Sequence, residues 1–144
     1  MKTEQLSIFL ENKPGRLAEV AEALARTKIN IRALSLADTD DFGVLRLIAD
    51  RPEEAKAALR EDGFSAQVSE VLAVEVPDHP GGLGRILSAF DKAGVNVEYM
   101  YACVSRPRQD VAIMIFRLDD LAKALENFPA DCGRIVPPSE LYTY

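Results

Sequence analysis

The first part of the chain alternates between apolar and other positions and then changes to a helical spacing. Leu6, Ile8 and Leu10 occupy every second position, which predicts a strand whose even-numbered side chains face a core. A turn around Pro14 follows, and apolar residues then recur every three or four positions, which predicts an amphipathic helix. The apolar helical positions are Leu17, Val20, Ala21, Leu24 and Ala25. The chain therefore begins with a strand, a turn and a helix that share one core.

The next segment predicts a hairpin of two strands. Apolar residues between Ile29 and Leu36 predict the second strand, and those from Val44 to Ile48 predict the third. The acidic residues between them, Asp38, Asp40 and Asp41, are typical of a turn. A strand, a helix and a strand hairpin thus follow one another in the first 48 residues.

A second helix and a long apolar segment complete the first half. Pro52 suits the first helical position, and Glu53 and Glu54 suit the positive end of the helix dipole. Apolar residues from Val68 to Val76 then continue with almost no turn residues between them. We interpret this segment as the last strand of one unit leading directly into the first strand of the next, with the boundary near Glu70.

The same order of elements recurs in the second half. The turn from Asn12 to Leu17 matches the turn from Asp78 to Leu83 at an offset of 66 residues, and the helices and strands that follow keep that register. Agreement over a turn, a helix and a strand indicates an internal duplication. The second copy predicts helix 83–93, strand 95–104, a turn at Arg106 and Pro107, strand 111–116, helix 119–128 and a short strand 134–136.

Each copy therefore has the order strand, helix, strand, strand, helix, strand. This order predicts two ferredoxin-like α+β domains in tandem, residues 1–69 and 70–144, each with an antiparallel sheet and helices on one face. Units of this size bury only about 60 % of their unfolded surface. We expect the two halves to pack against each other or against a second copy of the chain.

The composition argues against several classes of function. A net charge of −6 argues against direct binding of nucleic acid, and no apolar run approaches the length of a membrane span. The segment from Met1 to Gln5 lacks the apolar stretch of a signal peptide, so we expect a cytoplasmic protein. Cys103 and Cys132 have no close-spaced partner, which favours free thiols.

Catalytic and metal-binding patterns are also missing from the sequence. The only histidine, His79, has no partner at motif spacing, and neither a nucleophile elbow nor a phosphate-binding loop with its lysine is present. We therefore expect a protein without catalysis of its own, without a cofactor and without a metal. A binding function is the remaining class.

The repeated turn offers a site for a small zwitterion. Unpaired N–H groups and the positive dipole at a helix N-terminus favour a carboxylate, and Asn12 or Asp78 could accept hydrogen bonds from an ammonium group. An amino acid carries both groups. The alternative is structural: Asn12 and Asp78 cap their helices, while the prolines and glycines shape the turns.

The residues of the two turns resemble the signature of ACT domains, which are small ligand-sensing modules. The residues that carry the resemblance are Asn12, Pro14, Gly15, Leu17, Asn30 and Ile31 in the first copy, and Asp78, Pro80, Gly81, Leu83, Asn96 and Val97 in the second. The resemblance implies that amino acids bind between the helix-entry turn of one domain and the second strand of another. Asn12 stands where the family more often has Asp.

The turn residues and the resemblance together predict candidate ligand-binding residues in both copies. They are Asn12, Pro14, Gly15, Arg16, Leu17 and Asn30, and Asp78, His79, Pro80, Gly81, Gly82, Leu83 and Asn96. For His79 a solvated loop position is an alternative, and for Asn30 and Asn96 a loop position with an unusual backbone conformation is another.

The function predicted from these residues and from the resemblance is regulatory. We expect a homodimer that senses an amino acid at interfaces between ACT domains and acts by allosteric regulation, with a biosynthetic enzyme as a further partner. The alternative is an interaction subunit that binds no metabolite and holds an amino-acid biosynthetic enzyme, similar to the small subunit of acetolactate synthase.

Overall fold

The computed structural model describes residues 2–38 and 40–144, which form two compact units. The first unit is Glu4–Ser69, and the second is Glu70–Tyr144 together with the start of the chain up to Thr3. The domain limits 1–69 and 70–144 stay a prediction, and Met1 lies outside the described residues.

The elements follow the order predicted for tandem ferredoxin-like domains, and this fold class is confirmed. In chain order they are β1 (Thr3–Glu11), α1 (Arg16–Arg26), β2 (Ile31–Asp38), β3 (Phe42–Ala49), α2 (Pro52–Glu61), β4 (Ser65–Pro77), α3 (Gly82–Lys92), β5 (Val97–Ala102), β6 (Val111–Leu118), α4 (Leu121–Glu126), β7 (Arg134–Ile135) and α5 (Pro138–Leu141). The long strand β4 contributes its first residues to the first unit and the remainder to the second.

The first unit has the strand order β2-β3-β1-β4, and both its helices pack on one face of the sheet. Leu6 of β1 pairs with Leu47 of β3, and Ile8 pairs with Leu45, so that the even-numbered side chains of β1 lie on the face that carries the helices. The buried core on that face includes Leu6, Ile8, Leu10, Val20, Leu24, Leu45, Leu47, Ala55 and Leu59. The even-numbered face predicted for the first strand is therefore confirmed.

The second unit has the strand order β5-β6-β4, with β7 beside β4 at the other edge. Phe116 of β6 is completely buried and meets Phe90 of α3 edge to face, with ring centroids 5.3 Å apart. The core around this pair includes Leu72, Val74, Val76, Ile86, Leu118 and Ala124. Each unit thus has its own apolar core under its own helices.

Two predicted elements are longer than the observed ones. Helix 119–128 is observed only as α4, because the Asp120 side chain caps it by accepting a hydrogen bond from Lys123 N–H at 3.0 Å. At the other end the Asn127 amide donates to the Lys123 carbonyl at 2.8 Å, where the helix ends. Strand 95–104 is observed only as β5, because the N–H of Val95 still bonds to Phe90 O at the end of α3.

The C-terminal segment contains a helix, α5, that the sequence pattern did not predict. Arg134 ties this segment to the sheet, since its guanidinium donates to the buried Glu75 carboxylate at 2.9 Å and to both carboxylate oxygens of Glu140 at 2.7 and 2.8 Å. The Tyr144 hydroxyl donates to the same Glu140 carboxylate. Arg134 therefore ties the tail to the sheet by bonding to two acidic side chains, Glu75 of the sheet and Glu140 of α5.

This tail contact should weaken in acid. The pKa of Glu140 is lowered to about 2, first by the hydrogen bonds from Arg134 and then by that from Tyr144. A folded pKa below the unfolded value of about 4.3 stabilises the fold above that pH, and the stabilisation is lost as the pH falls towards 2. We expect protection of the Leu141 amide from hydrogen exchange to fall across this range. In Glu140→Gln it should be low already at pH 7; an identical pH profile in both proteins would contradict the assignment.

Candidate functional site

The two helix-entry turns have the same backbone conformation. Gly15 precedes α1 with φ of 87°, and Gly81 precedes α3 with φ of 90°. Both values lie in the left-handed region, which glycine adopts at little cost. A Cβ atom at either position would meet nothing within 4 Å, so the backbone conformation, and not a lack of space, requires glycine here.

Each turn is also anchored to the hairpin beside it. The N–H of Asn12 donates to Asp41 O at 3.0 Å, and the N–H of Asp78 donates to Asp110 O at 2.8 Å. These are corresponding bonds in the two copies, because each joins the end of the first strand to the residue before the third strand. Backbone hydrogen bonds therefore hold both turns against their hairpins in the same way.

The side chains of Asn12 and Asp78 do not cap the helices, and the capping alternative is wrong for both. The residues that precede the helices are Gly15 and Gly81, and neither helix receives a side-chain hydrogen bond at its N-terminus. The left-handed glycine sets the direction of the turn. The N–H of Arg16 bonds to Lys13 O and that of Gly82 to His79 O, but no N–H in the first turn of either helix has a side-chain acceptor, as a site for a carboxylate requires.

In the first unit the turn forms one side of a small pocket of about 70 Å³. Its lining residues are Leu10, Glu11, Asn12, Lys13, Arg16, Leu17, Leu36 and Gly43. The pocket thus brings together three of the predicted residues, Asn12, Arg16 and Leu17. Pro14 and Gly15 shape the turn beside it without lining it.

Leu36 and Gly43 belong to this pocket and were missed in the sequence pattern. Leu36 pairs with the core residue Leu45, so its side chain lies on the face that carries the helices, yet it is 53 % exposed. Leu17 of α1 is 43 % exposed. The sequence pattern predicted that Leu36 belongs to the second strand, but not that its side chain lies at an uncovered edge of the sheet face.

The charged residues of the first turn are paired among themselves. Lys13 Nζ lies 2.6 Å from a Glu11 carboxylate oxygen, and its hydrogen bond lowers the pKa of Glu11. Arg16 bonds to Glu19 at 2.7 Å and its guanidinium lies 4.9 Å from the centre of the Phe64 ring. Asn12 differs from these charged residues. Its neutral side-chain amide forms no hydrogen bond to any of the residues that the structure describes.

The second turn differs from the first in charge and in packing. The Asp78 carboxylate accepts a hydrogen bond from Arg106 at 3.2 Å, and His79 Nδ1 lies 3.0 Å from Pro80 O within the turn itself. A Cβ atom on Gly82 would overlap the carbonyl oxygen of Pro77, and Leu83 packs partly buried against the core. The second turn is therefore closed against its strand where the first turn opens a pocket.

Asn30 and Asn96 lie at the far end of their units from the turns. The N–H of Asn30 donates to the Asp50 side chain at 3.1 Å, and the N–H of Asn96 donates to the Asp119 side chain at 2.8 Å. An 11-residue helix, about 16 Å long, separates each asparagine from the turn of its own unit. The structure therefore does not bring turn and asparagine together within one unit.

The unusual backbone predicted for the asparagines lies two residues earlier. Lys28 has φ of 57° and Gly94 has φ of 71°, whereas neither Asn30 nor Asn96 has a positive φ. Lys28 and Gly94 occupy corresponding positions in the two copies. This alternative for the asparagines is therefore wrong, and the left-handed residue ends the helix before the strand begins.

Residues 2–38 and 40–144 contain neither a metal-binding cluster nor a helix that could span a membrane. In this part of the chain no group of three or more His, Cys, Asp or Glu side chains could hold a metal ion. None of the helices described there is long and apolar enough to cross a membrane.

Comparison with known proteins agrees with the geometry of the two units. The family model for the ACT domain pair matches residues 1–131. Protein BT0572 from Bacteroides thetaiotaomicron is similar in structure with a TM-score of 0.92, is 38 % identical in sequence, and the match covers 100 % of this chain and 98 % of that one. None of the curated proteins matches the chain.

More distant structures show the same fold. The regulatory subunit of aspartate kinase from Thermus thermophilus matches with a TM-score of 0.61 and 20 % identity, over 78 % of this chain and 80 % of that one. The corresponding subunit from Thermus flavus matches with a TM-score of 0.60 and 18 % identity, over 81 % and 82 %. The predicted resemblance is confirmed, and the chain belongs to the family of ACT domain pairs.

Proposed function

We propose that this protein is a regulatory protein that binds a free amino acid at its helix-entry turns and has no catalysis of its own. The observation that carries the proposal is the pair of uncapped helix N-termini, each reached through a left-handed glycine. The proposal is consistent with the chain's membership of the ACT domain pair family and with the fold that it shares with a regulatory subunit of aspartate kinase.

The first-unit pocket suits the two ends of an amino acid. The N–H groups that begin α1 would hold the carboxylate, and the Asn12 side-chain oxygen would accept a hydrogen bond from the ammonium group. Leu17 and Leu36 would contact the amino-acid side chain. The pocket encloses only about 70 Å³. A single chain would therefore form only one wall of the site.

A second copy of the chain would supply the other wall. Strand β2 lies at the edge of the first unit, and its Leu34 and Leu36 are 44 % and 53 % exposed on the face that carries the helices. An edge strand with exposed apolar side chains is suited to pairing with another chain. A ligand held at that interface would favour the dimer or one arrangement of its two chains. Such a shift of the equilibrium by a bound ligand is regulation by linkage, and it would operate in the cytoplasm.

The two turns should differ in affinity. Asp78 would offer an ammonium group a negative charge where Asn12 offers a neutral oxygen, but Arg106 already bonds to the Asp78 carboxylate. A ligand at the second turn must displace this guanidinium. We therefore expect the first turn to be the more open site and the second to select more strongly for its ligand.

Thermal unfolding in the presence of each of the twenty amino acids tests the proposal. A ligand at ten times its dissociation constant should add about 1.4 kcal/mol to the stability, which raises Tm by several degrees. We expect one amino acid, or a chemically related group, to raise Tm at millimolar concentration while the others have no effect. A flat panel for the folded dimer would refute amino-acid binding.

A second candidate function is that of an interaction subunit of a biosynthetic enzyme. Phe9 and Phe42 are 46 % and 57 % exposed in the first unit. Phe9 pairs with Val44 and Phe42 with Glu11, which places both rings on the face of the sheet without helices. A flat amino-acid panel, with Tm raised by a stoichiometric enzyme partner, would favour this function.

A further inference from the structure

The second unit has an open groove along α3 that has no counterpart on α1. The groove has a volume of about 790 Å³ and runs along one side of α3, from Gly81 to Lys92, facing the segment that follows α4. In the first unit the corresponding side of α1 is covered by α2, and Arg26 of α1 forms an ion pair with Asp62 after α2. Helix α2 has ten residues, but α4 has only six. The shorter helix leaves α3 uncovered.

The side of α3 in this groove has changed its charge relative to α1. At the 66-residue offset, Glu19 of α1 corresponds to Arg85 of α3, and Glu22 corresponds to Ser88. Lys92 keeps the positive charge of its counterpart Arg26. An acidic side of one helix has therefore become a basic side of the other, in a chain whose net charge is −6.

The cations of the groove are available to a ligand. Lys92 forms no ion pair within residues 2–38 and 40–144. Arg85 bonds to Asp131 at 3.1 Å, but both side chains are more than half exposed, and exposed pairs are weak because water screens them. Gly84 and Ala89 leave the floor of the groove free of large side chains, and Ser88 adds a hydroxyl between the two cations.

We propose that this groove binds a small organic dianion, with one carboxylate on Arg85 and the other on Lys92. The two residues are two helical turns apart, which corresponds to about 10 Å along the axis. A dicarboxylate lying along α3 can reach both cations and accept a hydrogen bond from Ser88. This site is separate from the helix-entry turn pocket of the first unit and does not depend on amino-acid binding there.

Titration of the full chain with dicarboxylates, followed by two-dimensional NMR, tests the proposal. Succinate, glutarate and adipate are compared at matched ionic strength with acetate and with inorganic phosphate. We expect saturable shifts of the α3 amides with a dicarboxylate and none with acetate. Each dicarboxylate is added to about 10 mM, the weak end of ordinary metabolite affinities, and to at least 20 times the protein concentration. If none of them saturates the shifts under these conditions, the proposal is overturned.

Charge variants identify the cations that hold the ligand. Arg85→Gln and Lys92→Gln should each weaken binding about tenfold, the loss expected for one charge-assisted contact. Lys56→Gln, on α2 of the first unit, removes the same charge outside the groove and should leave binding unchanged. Equal weakening by all three variants would indicate a response to net charge and would overturn the site.

Gly84→Leu fills the groove while both cations remain. A Cβ atom at Gly84 would meet nothing within 4 Å, so we expect this variant to fold with an unchanged or higher Tm and to lose dicarboxylate binding. Retained dicarboxylate binding in this variant would overturn the proposal. Loss of the dimer in sedimentation would also overturn it, because the groove would then be a contact between copies of the chain. The same variant decides whether a response to aspartate or glutamate comes from the groove.

Discussion

Replacement of Gly82 by alanine should destabilise the protein by about 2–3 kcal/mol, the upper part of the range for a side chain forced into a packed site. The added Cβ would overlap the carbonyl oxygen of Pro77 and press on its carbonyl carbon at 3.1 Å. Because these are backbone atoms at the end of β4, a change of rotamer cannot relieve the overlap. Either α3 or the strand end must move. Urea unfolding monitored by circular dichroism measures the loss.

Gly84→Ala is the matched control in the same helix. Its Cβ would lie in open space, and alanine in a helix interior is more stable than glycine by about 0.5–1 kcal/mol. The two substitutions add the same methyl group two residues apart, and we expect opposite signs. Equal effects in the two variants would contradict the close approach of α3 to β4.

The corresponding position in the first unit holds an arginine. Arg16 directs its guanidinium over the Phe64 ring, and the strand before it ends in Glu11 where the second copy has Pro77. The duplication therefore preserves the order of elements but not the distance between strand end and helix. This difference accompanies the small pocket at the first turn, whereas Gly81 of the second turn lines the groove along α3.

The order of elements could be predicted because each depends on residues close in sequence. A strand with apolar residues at every second position, such as Leu6, Ile8 and Leu10, can be predicted from its own residues. The second copy repeats this order of elements. Ends of elements were less predictable, because side-chain bonds such as that from Lys123 N–H to Asp120 shortened α4. The tail helix α5 is tied to the sheet by Arg134, which bonds to Glu140 nearby and to Glu75, 59 residues earlier in the sequence.

The candidate site was only partly predictable for the same reason. The turn residues Asn12 and Gly15 stand in one motif, but Leu36 reaches the pocket from an edge strand on the far side of a helix. The capping alternative for Asn12 and Asp78 was wrong because a left-handed glycine, Gly15 or Gly81, directly precedes each helix. The groove along α3 depends on a helix that ends early, and periodicity alone predicted that helix to be longer.

Three glycine substitutions should separate ligand binding from backbone strain. Gly15, Gly63 and Gly81 have φ of 87°, 86° and 90°, and a Cβ atom on any of them would meet nothing within 4 Å. Valine at each position should cost about 1–2 kcal/mol, because a β-branched residue is strained in the left-handed region. Gly63 follows α2, outside the residues of either turn, and so reports the strain alone.

The ligand response should divide these variants although their stability does not. We expect Gly63→Val to keep the full Tm shift with the amino acid found in the panel. Gly15→Val or Gly81→Val, or both, should weaken binding at least about tenfold, because a branched side chain beside the first turn of the helix obstructs the carboxylate and turns its N–H groups away. A loss in Gly15→Val identifies the first turn, and a loss in Gly81→Val identifies the second turn if Gly84→Leu, which fills the neighbouring groove, keeps the response. If all three variants keep it, the ligand binds elsewhere on the chain; if Gly63→Val also loses it, the response measures stability and not a contact at the turns.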